Sequence, residues 1–349
     1  MKFEPDARPA PDQGAENLAA RPLSTYLAHG VALGGNVEFP EFRASTQTPE
    51  IVVWRETAPV GGADPLPQSA LLRHAHYQTT AGAVADFGFY GLDGCYVARW
   101  HQLCDFRIQR DGRRIDCAPW PGVDWGDIRP VLLGRILPLA LNFRGVLVLH
   151  SGGVLLPQGA IALVATPGTG KSTLAAQFAC LGYPLVADDV LAVAEVNAAF
   201  TVSVGSSHVR LTEESLGFLQ DSLPRGSAPT PDYDKSRVSF RDSRDPDAPV
   251  PLRGIYLLSR RPEREGEIKI TTVPPQAALP LVLQNVSNRT LLQRPQLAQY
   301  FGVLCRLISQ VPVKILEYPS ALDQLPRLCQ TLVQDSAVPA ELTLDRPAH

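Results

Sequence analysis

The segment that most constrains this chain runs from Ile161 to Thr173. A short apolar strand, Ile161-Ala162-Leu163-Val164-Ala165, is followed by the turn Thr166-Pro167-Gly168-Thr169-Gly170 and then by Lys171-Ser172-Thr173 at the start of a helix. Strand, glycine-rich turn and helix in immediate succession are the setting in which backbone N–H groups curl around a phosphate. Gly168 and Gly170 permit the curl, and the positive end of the helix adds to it. In such a loop Lys171 reaches the outer phosphates of a nucleotide and the Ser172 hydroxyl ligates Mg2+, with Thr173 less engaged with either. The expected nucleotide contacts are therefore Pro167, Gly168, Thr169, Gly170, Lys171, Ser172 and Thr173. Ala165 departs from the strict G-x-x-x-x-G-K-[ST] pattern, which has glycine at that position.

The next helix should pack Leu174, Phe178 and Leu181 on a sheet and end at Gly182. Apolar Pro184–Ala187 then leads into Asp188-Asp189 and on to Val190–Val193. Two carboxylates at the edge of an apolar strand are costly to bury without a cation or donors. A magnesium ion relieves that cost, one carboxylate holding the metal and the other accepting a hydroxyl proton. His150 closes the apolar run Val146–Leu149 and lies close to the loop in this topology, where it suits a phosphate contact or a hydrogen bond to an acid.

Composition narrows the partners. Of 349 residues, 45% are hydrophobic, and 32 Lys plus Arg against 35 Asp plus Glu leave a net charge of -3. That balance argues against a nucleic-acid partner bound through bulk charge. Six scattered cysteines with no CxxC pair argue against a disulfide scaffold or a cysteine zinc site and suggest buried thiols in a reducing cytoplasm. Apolar runs stay shorter than the roughly 18 residues that span a membrane. Lys2 and Arg8 are offset by acids and interrupted by prolines, unlike a signal peptide. A cytoplasmic protein without a membrane partner is expected, with homo-oligomerisation left open.

Residues 1–18 read as a flexible lead-in. Strand-like pieces follow at Glu50–Arg55, Val84–Tyr90, Gly94–Ala98, Cys104–Gln109 and, after the turn 110–113, Arg114–Cys117. A β-rich region over 19–127 thus precedes an α/β region over 128–320 and a C-terminal helix or tail over 321–349. Ile128–Phe143 reads as a joining helix with a kink at Pro138. Val146–Val154 and Ala160–Ala165 read as strands, Val202–Val204 as a short one, and Thr212–Leu219 as a helix capped by Thr212. Pro224–Pro251, polar and proline-punctuated, reads as a mobile excursion. Leu252–Leu258, Glu267–Thr272 and Val311–Leu316 read as strands, and Leu291–Ile308 as helical.

The run from Leu149-His150 through Gly170-Lys171-Ser172-Thr173 to Gly182, with Ala187-Asp188-Asp189, resembles the P-loop domain of bacterial HPr serine kinase/phosphorylases. More closely, the chain resembles kinase-like proteins of ribosomally made peptide pathways, including lasso-peptide tailoring kinases. Softer similarity extends from about residue 25 to Tyr318. The resemblance implies an α/β P-loop kinase domain of the HPr kinase/PEP carboxykinase-like type, using ATP and Mg2+ to phosphorylate a hydroxyl. The implied acceptor is serine of a precursor peptide, with a small hydroxyl compound or carrier protein, or a non-catalytic nucleotide-responsive role, as alternatives. It implies that His150 lies near the transferred phosphate, that Lys171 and Ser172 bind nucleotide and metal, and that the aspartates supply base and metal contact, with Asp188 as base and Asp189 metal-linked or the reverse. Arg210, Lys235 and Arg237 match basic positions that hold phosphate or acceptor charge. No second glycine-rich signature follows the Asp pair, so neither HPr recognition nor the reverse reaction is implied.

Overall fold

The computed structural model describes residues 24–58, 61–62, 65–78, 84–166, 168–206, 208–224, 227, 229–232, 235–240, 248–263 and 266–337. Its first part is a nine-stranded mixed sheet made of β1 (Ser24–Ala28), β2 (Val31–Gly35), β3 (Arg43–Ser45), β4 (Ile51–Arg55), β5 (Leu71–Gln78), β6 (Val84–Gly91), β7 (Cys95–Trp100), β8 (Cys104–Gln109) and β9 (Arg114–Pro119). The strand order is β3-β1-β2-β4-β9-β8-β7-β6-β5, parallel at β2/β4 and β4/β9 and antiparallel elsewhere. Alternation drives the pairing: in β8, Phe106 and Ile108 are fully buried while Arg107 and Gln109 face out. Each such buried side chain contributes about 1.5–3 kcal/mol. The sequence reading found the strands of the β6–β9 meander but missed β1–β3 and β5.

The joining helix is present with a refinement. Helix α1 (Trp125–Val131), capped by the Asp124 carboxylate accepting from the Gly126 N–H, widens into a π-turn over Leu132–Ile136 before α2 (Leu137–Phe143). Pro138 in the first turn of α2 has no N–H to give to the preceding turn, and the wider turn takes the place of the expected kink.

The remaining chain forms a second mixed sheet. It comprises β10 (Leu147–Leu149), β11 (Gly152–Leu156), β12 (Gly159–Val164), helix α3 (Lys171–Cys180), β13 (Leu185–Ala187), β14 (Leu191–Val196) and β15 (Ala199–Val202). After β16 (His208–Leu211) and α4 (Glu213–Leu219) come β17 (Thr230–Asp232), β18 (Lys235–Ser239), β19 (Val250–Arg261), β20 (Lys269–Val273), α5 (Pro275–Leu283), α6 (Arg294–Gln310), β21 (Val313–Pro319) and α7 (Leu325–Ala337). The order is β10-β14-β15-β19-β12-β11-β13, with β21 beside β19 and β20 beside β21, while β16-β18-β17 form a small separate sheet.

Several expectations are corrected here. Val146–Val154 is two strands, not one, broken at His150-Ser151. Part of the supposed excursion Pro224–Pro251 is ordered as β17 and β18, with Val238 and Phe240 buried; residues 241–247 lie outside the described residues, as do the lead-in 1–18 and the last residues 338–349. Leu174 and Phe178 are buried as expected, but Leu181 is exposed because α3 has already ended. Capping of α4 by Thr212 holds, its hydroxyl accepting from the Ser215 N–H at 3.3 Å. All six cysteines are free: Cys104, Cys117 and Cys329 are buried, the others only partly so. Among the described residues, no helix is long and apolar enough to cross a membrane.

One buried cluster runs from Leu33, Phe39 and Phe106 through Leu132 and Leu139 to Leu149, Leu191 and Leu304. A second lies under α3, α7 and the small sheet, with Phe178, Val238, Tyr256 and Leu328 at its centre. The β1–β2 turn links the first sheet to the second: the His29 N–H donates to the Val204 carbonyl, and the Gly205 N–H donates to Val186, just before the aspartate pair. Only glycine fits at 205, since a Cβ there would come within 2.3 Å of the His29 ring.

Burial at this contact depresses the His29 pKa from 6.5 to about 4, and its Nδ1 has no hydrogen-bond partner. The folded protein therefore binds fewer protons than the unfolded chain below pH ~6.5, and stability falls as pH drops from there toward 4. We expect His29 to remove about 2–3 kcal/mol between pH 7 and pH 4.5. His29→Asn, which tolerates the left-handed backbone (φ +54°), should lose that component. Denaturant unfolding of both proteins at the two pH values measures the difference, and parallel pH curves would rule the assignment out.

Candidate functional site

Topology brings the chemistry together. The short connections after β10 and after β13 pass between the same two strand pairs, because β10 pairs with β14 (Leu149 opposite Leu191) and β11 with β13 (Gly153 opposite Ala187). Residues 150–151 and 188–190 therefore run side by side where the sheet parts. This crossing sets His150 against Asp189, with Nε2 3.9 Å from Oδ1. His150 is fixed by its N–H donating to the Asn285 carbonyl at 2.7 Å.

Lys171 enters the same place from the first turn of α3, passing Gly152, where a Cβ would lie 3.4 Å from its Cγ. It is nearly buried, and its Nζ donates to Asp189 Oδ1 at 2.5 Å and lies 3.5 Å from His150 Nε2. The glycine turn before it has the backbone its sequence foretold, Gly168 at φ +82° and Gly170 at φ +104°, conformations that L side chains rarely adopt. Gly170 caps α3, its carbonyl accepting from the Leu174 N–H at 2.9 Å. The Thr166 and Thr169 hydroxyls are 2.8 Å apart, and the Tyr318 hydroxyl donates to the Thr169 carbonyl at 2.8 Å, tying the turn to β21. Pro167 lies outside the described residues. Thr173 is turned away, its hydroxyl 2.8 Å from that of Ser215 on α4.

The two aspartates differ sharply. Asp188 is 8% exposed, and burial, reinforced by the charge of Asp189, raises its pKa to about 7 against the pull of Lys171, Ser172 and the Arg210 N–H. Its Oδ2 accepts from that N–H at 3.3 Å, and the Ser172 side chain lies against the carboxylate. Its Oδ1 is buried without a partner. The Asp189 side chain is 49% exposed. Partial burial pushes Asp189 up, but Lys171, through both charge and hydrogen bond, together with His150 and Lys235, holds it below the usual carboxylate range. Burial and the Lys171 charge lower the pKa of His150, against the pull of Asp189.

Of the weaker basic candidates, Lys235 adds positive charge at Asp189, and Arg210 contributes its backbone amide to Asp188. Arg237, paired across the small sheet with Arg210, reaches instead to buried Glu41, 3.5 Å away, which also binds Arg129 at 2.8 Å. Those three, with Pro40, His208, Thr230 and Ser239, line a neighbouring cavity of about 210 Å3. Sequence reading missed Arg135, which the π-turn carries to the surface close enough to His150 to lower its pKa. It also missed Tyr318. Neither has a local sequence signal, since both arrive from distant elements.

An anion at the turn would meet N–H groups, the end of a helix and the Lys171 ammonium. A divalent cation would find an unpartnered buried carboxylate oxygen and a hydroxyl at Asp188 and Ser172, a hard oxygen donor set.

No protein-family model matches the chain, and no curated protein does. Among solved structures, the HPr(Ser) kinase/phosphatase from Coxiella burnetii aligns at 14% identity over 54% of this chain and 94% of that one, with a TM-score of 0.28. At that score the likeness is weak and partial.

Proposed function

We propose that the chain is an ATP-dependent kinase that transfers the γ-phosphoryl group to a hydroxyl, with serine of a precursor peptide as the acceptor. What carries the reading is the meeting of Lys171, His150 and the Asp188-Asp189 pair beside a glycine turn that opens a helix. In this reading the turn N–H groups and Lys171 hold the phosphates of the nucleotide and take up charge as the phosphoryl group moves. Ser172 and Asp188 would hold Mg2+, which neutralises phosphate charge when bound; the lone buried Oδ1 of Asp188 is the observation that fits it.

Asp189, half-exposed and facing His150 and Lys235, accepts the hydroxyl proton as the new O–P bond forms and the bond to ADP breaks. Its partner Lys171 is drawn off toward the phosphates when nucleotide binds, which frees the carboxylate and raises its basicity. This order of the aspartates is the second of the two the resemblance allows. His150 hydrogen-bonds the transferring group, and Arg135 adds charge at the opening.

The test is mass spectrometry of the purified protein with ATP, Mg2+ and serine-containing precursor peptides, where a gain of about 80 Da marks transfer. We expect Asp189→Asn to keep Mg2+-dependent ATP affinity and lose transfer by about a hundredfold or more. Asp188→Asn should lose the Mg2+ dependence itself. In the unsubstituted protein that dependence should weaken as pH falls below about 7, because protonated Asp188 is no ligand. Nucleotide binding without transfer to any hydroxyl substrate would leave a nucleotide-responsive binding protein instead.

A further inference from the structure

At the far edge of the first sheet, away from the glycine turn, β5 and β6 carry three metal-ligating side chains on one face. The strand period of two places His74 and His76 together, and the antiparallel register sets Asp86 directly opposite His76. Opposite His74 is Gly88, whose missing Cβ leaves room for the Tyr90 ring on the same face. His76 Nδ1 lies 2.5 Å from Asp86 Oδ1, and the two imidazoles stand edge to face with centroids 4.9 Å apart.

One ligand atom from each residue lies within 4.8 Å of the other two, and among the described residues no other group of three His, Cys, Asp or Glu does so. Zinc bonds of about 2.0–2.2 Å at tetrahedral angles set two ligand atoms on one ion about 3.4 Å apart. All three residues are exposed, so small side-chain rotations close that gap without moving the backbone. A His-Asp ion pair accounts for His76 alone; the second imidazole, turned in toward the pair, completes a two-nitrogen, one-oxygen set.

We propose that His74, His76 and Asp86 form a zinc-class divalent-cation site with an open fourth position. The donor set selects the ion: imidazole nitrogen suits Zn2+ and disfavours Mg2+, which demands oxygen. The open position faces solvent beyond an edge strand, where water or a donor from outside completes the tetrahedron. The assignment is independent of the phosphoryl-transfer reading, as it shares no residue with that site.

The test is calorimetric titration of the chelator-stripped full chain with ZnCl2, without an affinity tag and in excess Mg2+ to cover the Asp188 region. One ion per chain should bind with a Kd of about 10 μM or tighter. His74→Ala and His76→Ala should each weaken it at least about tenfold. His74→Gln serves as a check that the strand edge is intact, with the same metal loss and an unchanged melting temperature in chelator. Zinc binding that persists in the double alanine variant, or no binding in the unsubstituted chain, overturns the proposal.

Discussion

Replacing Lys171 by Met should reduce phosphoryl transfer at least about a thousandfold, the largest catalytic effect expected of any single substitution here. The side chain sits between two demands. Without nucleotide its ammonium, 2.5 Å from Asp189, compensates two adjacent carboxylates at the sheet crossing. With nucleotide bound, the same ammonium is the one nearly buried cation on the helix that begins at the glycine turn. Met keeps the stem that packs along Gly152 and removes only the charge, so loss of activity would not reflect loss of packing.

A second signature separates this from misfolding. With Lys171 gone, the Asp189 carboxyl loses the partner that holds it low and Asp188 loses the charge that pulls it down, so the proton affinity of the aspartate pair should rise. Proton release measured on nucleotide binding would then differ between the two proteins. Transfer that stays above a tenth of the unsubstituted rate would show that the glycine turn is not where phosphate is held.

The turn and the aspartate pair were legible because their residue types serve few other purposes. Gly168 and Gly170 occupy backbone that other residues resist, and Asp188-Asp189 interrupts an apolar run at high desolvation cost. What brings them together was not legible. The apolar run Val146–Leu149 gives way to His150-Ser151-Gly152-Gly153, but that interruption does not say which strand each side pairs with, so the meeting of His150 and Asp189 left no pattern.

β17 and β18 were hidden for the opposite reason. Among the described residues of 224–240 only Val238 and Phe240 are buried apolar side chains, too few to set a period. Helix α7 is held by long-range contacts, the Asp335 carboxylate accepting from the Tyr256 hydroxyl at 2.5 Å and from Lys314 Nζ at 2.7 Å. Residue spacing within 321–337 does not announce partners that lie on β19 and β21.

Asp105→Ala should destabilise the fold by about 3–5 kcal/mol, the largest effect expected on stability. Asp105 lies on β8 in the first sheet, with its side chain 6% exposed, and its two oxygens serve donors from three separate segments. Oδ1 accepts from Arg99 Nε at 2.9 Å and Trp120 Nε1 at 3.3 Å; Oδ2 accepts from Arg99 Nη2 at 2.6 Å and the Gly62 N–H at 3.0 Å. Alanine removes the carboxylate opposite a guanidinium that is itself only 16% exposed, and strips the acceptor from a tryptophan and a backbone amide. The cost is that of desolvated donors, which exceeds the net worth of the bonds themselves. Asp105→Asn, which keeps one acceptor, should cost less than Asp105→Ala. Arg99→Met with Asp105→Leu should recover much of the loss, because the pair repays its own desolvation only in part. Denaturant unfolding followed by tryptophan fluorescence measures all three variants, and nucleotide affinity at permissive temperature should be unchanged, since Asp105 shares no contact with Lys171 or the aspartate pair. A loss below about 1 kcal/mol in Asp105→Ala would mean that water replaces the carboxylate and that the 61–62 and 120 segments are held by packing alone.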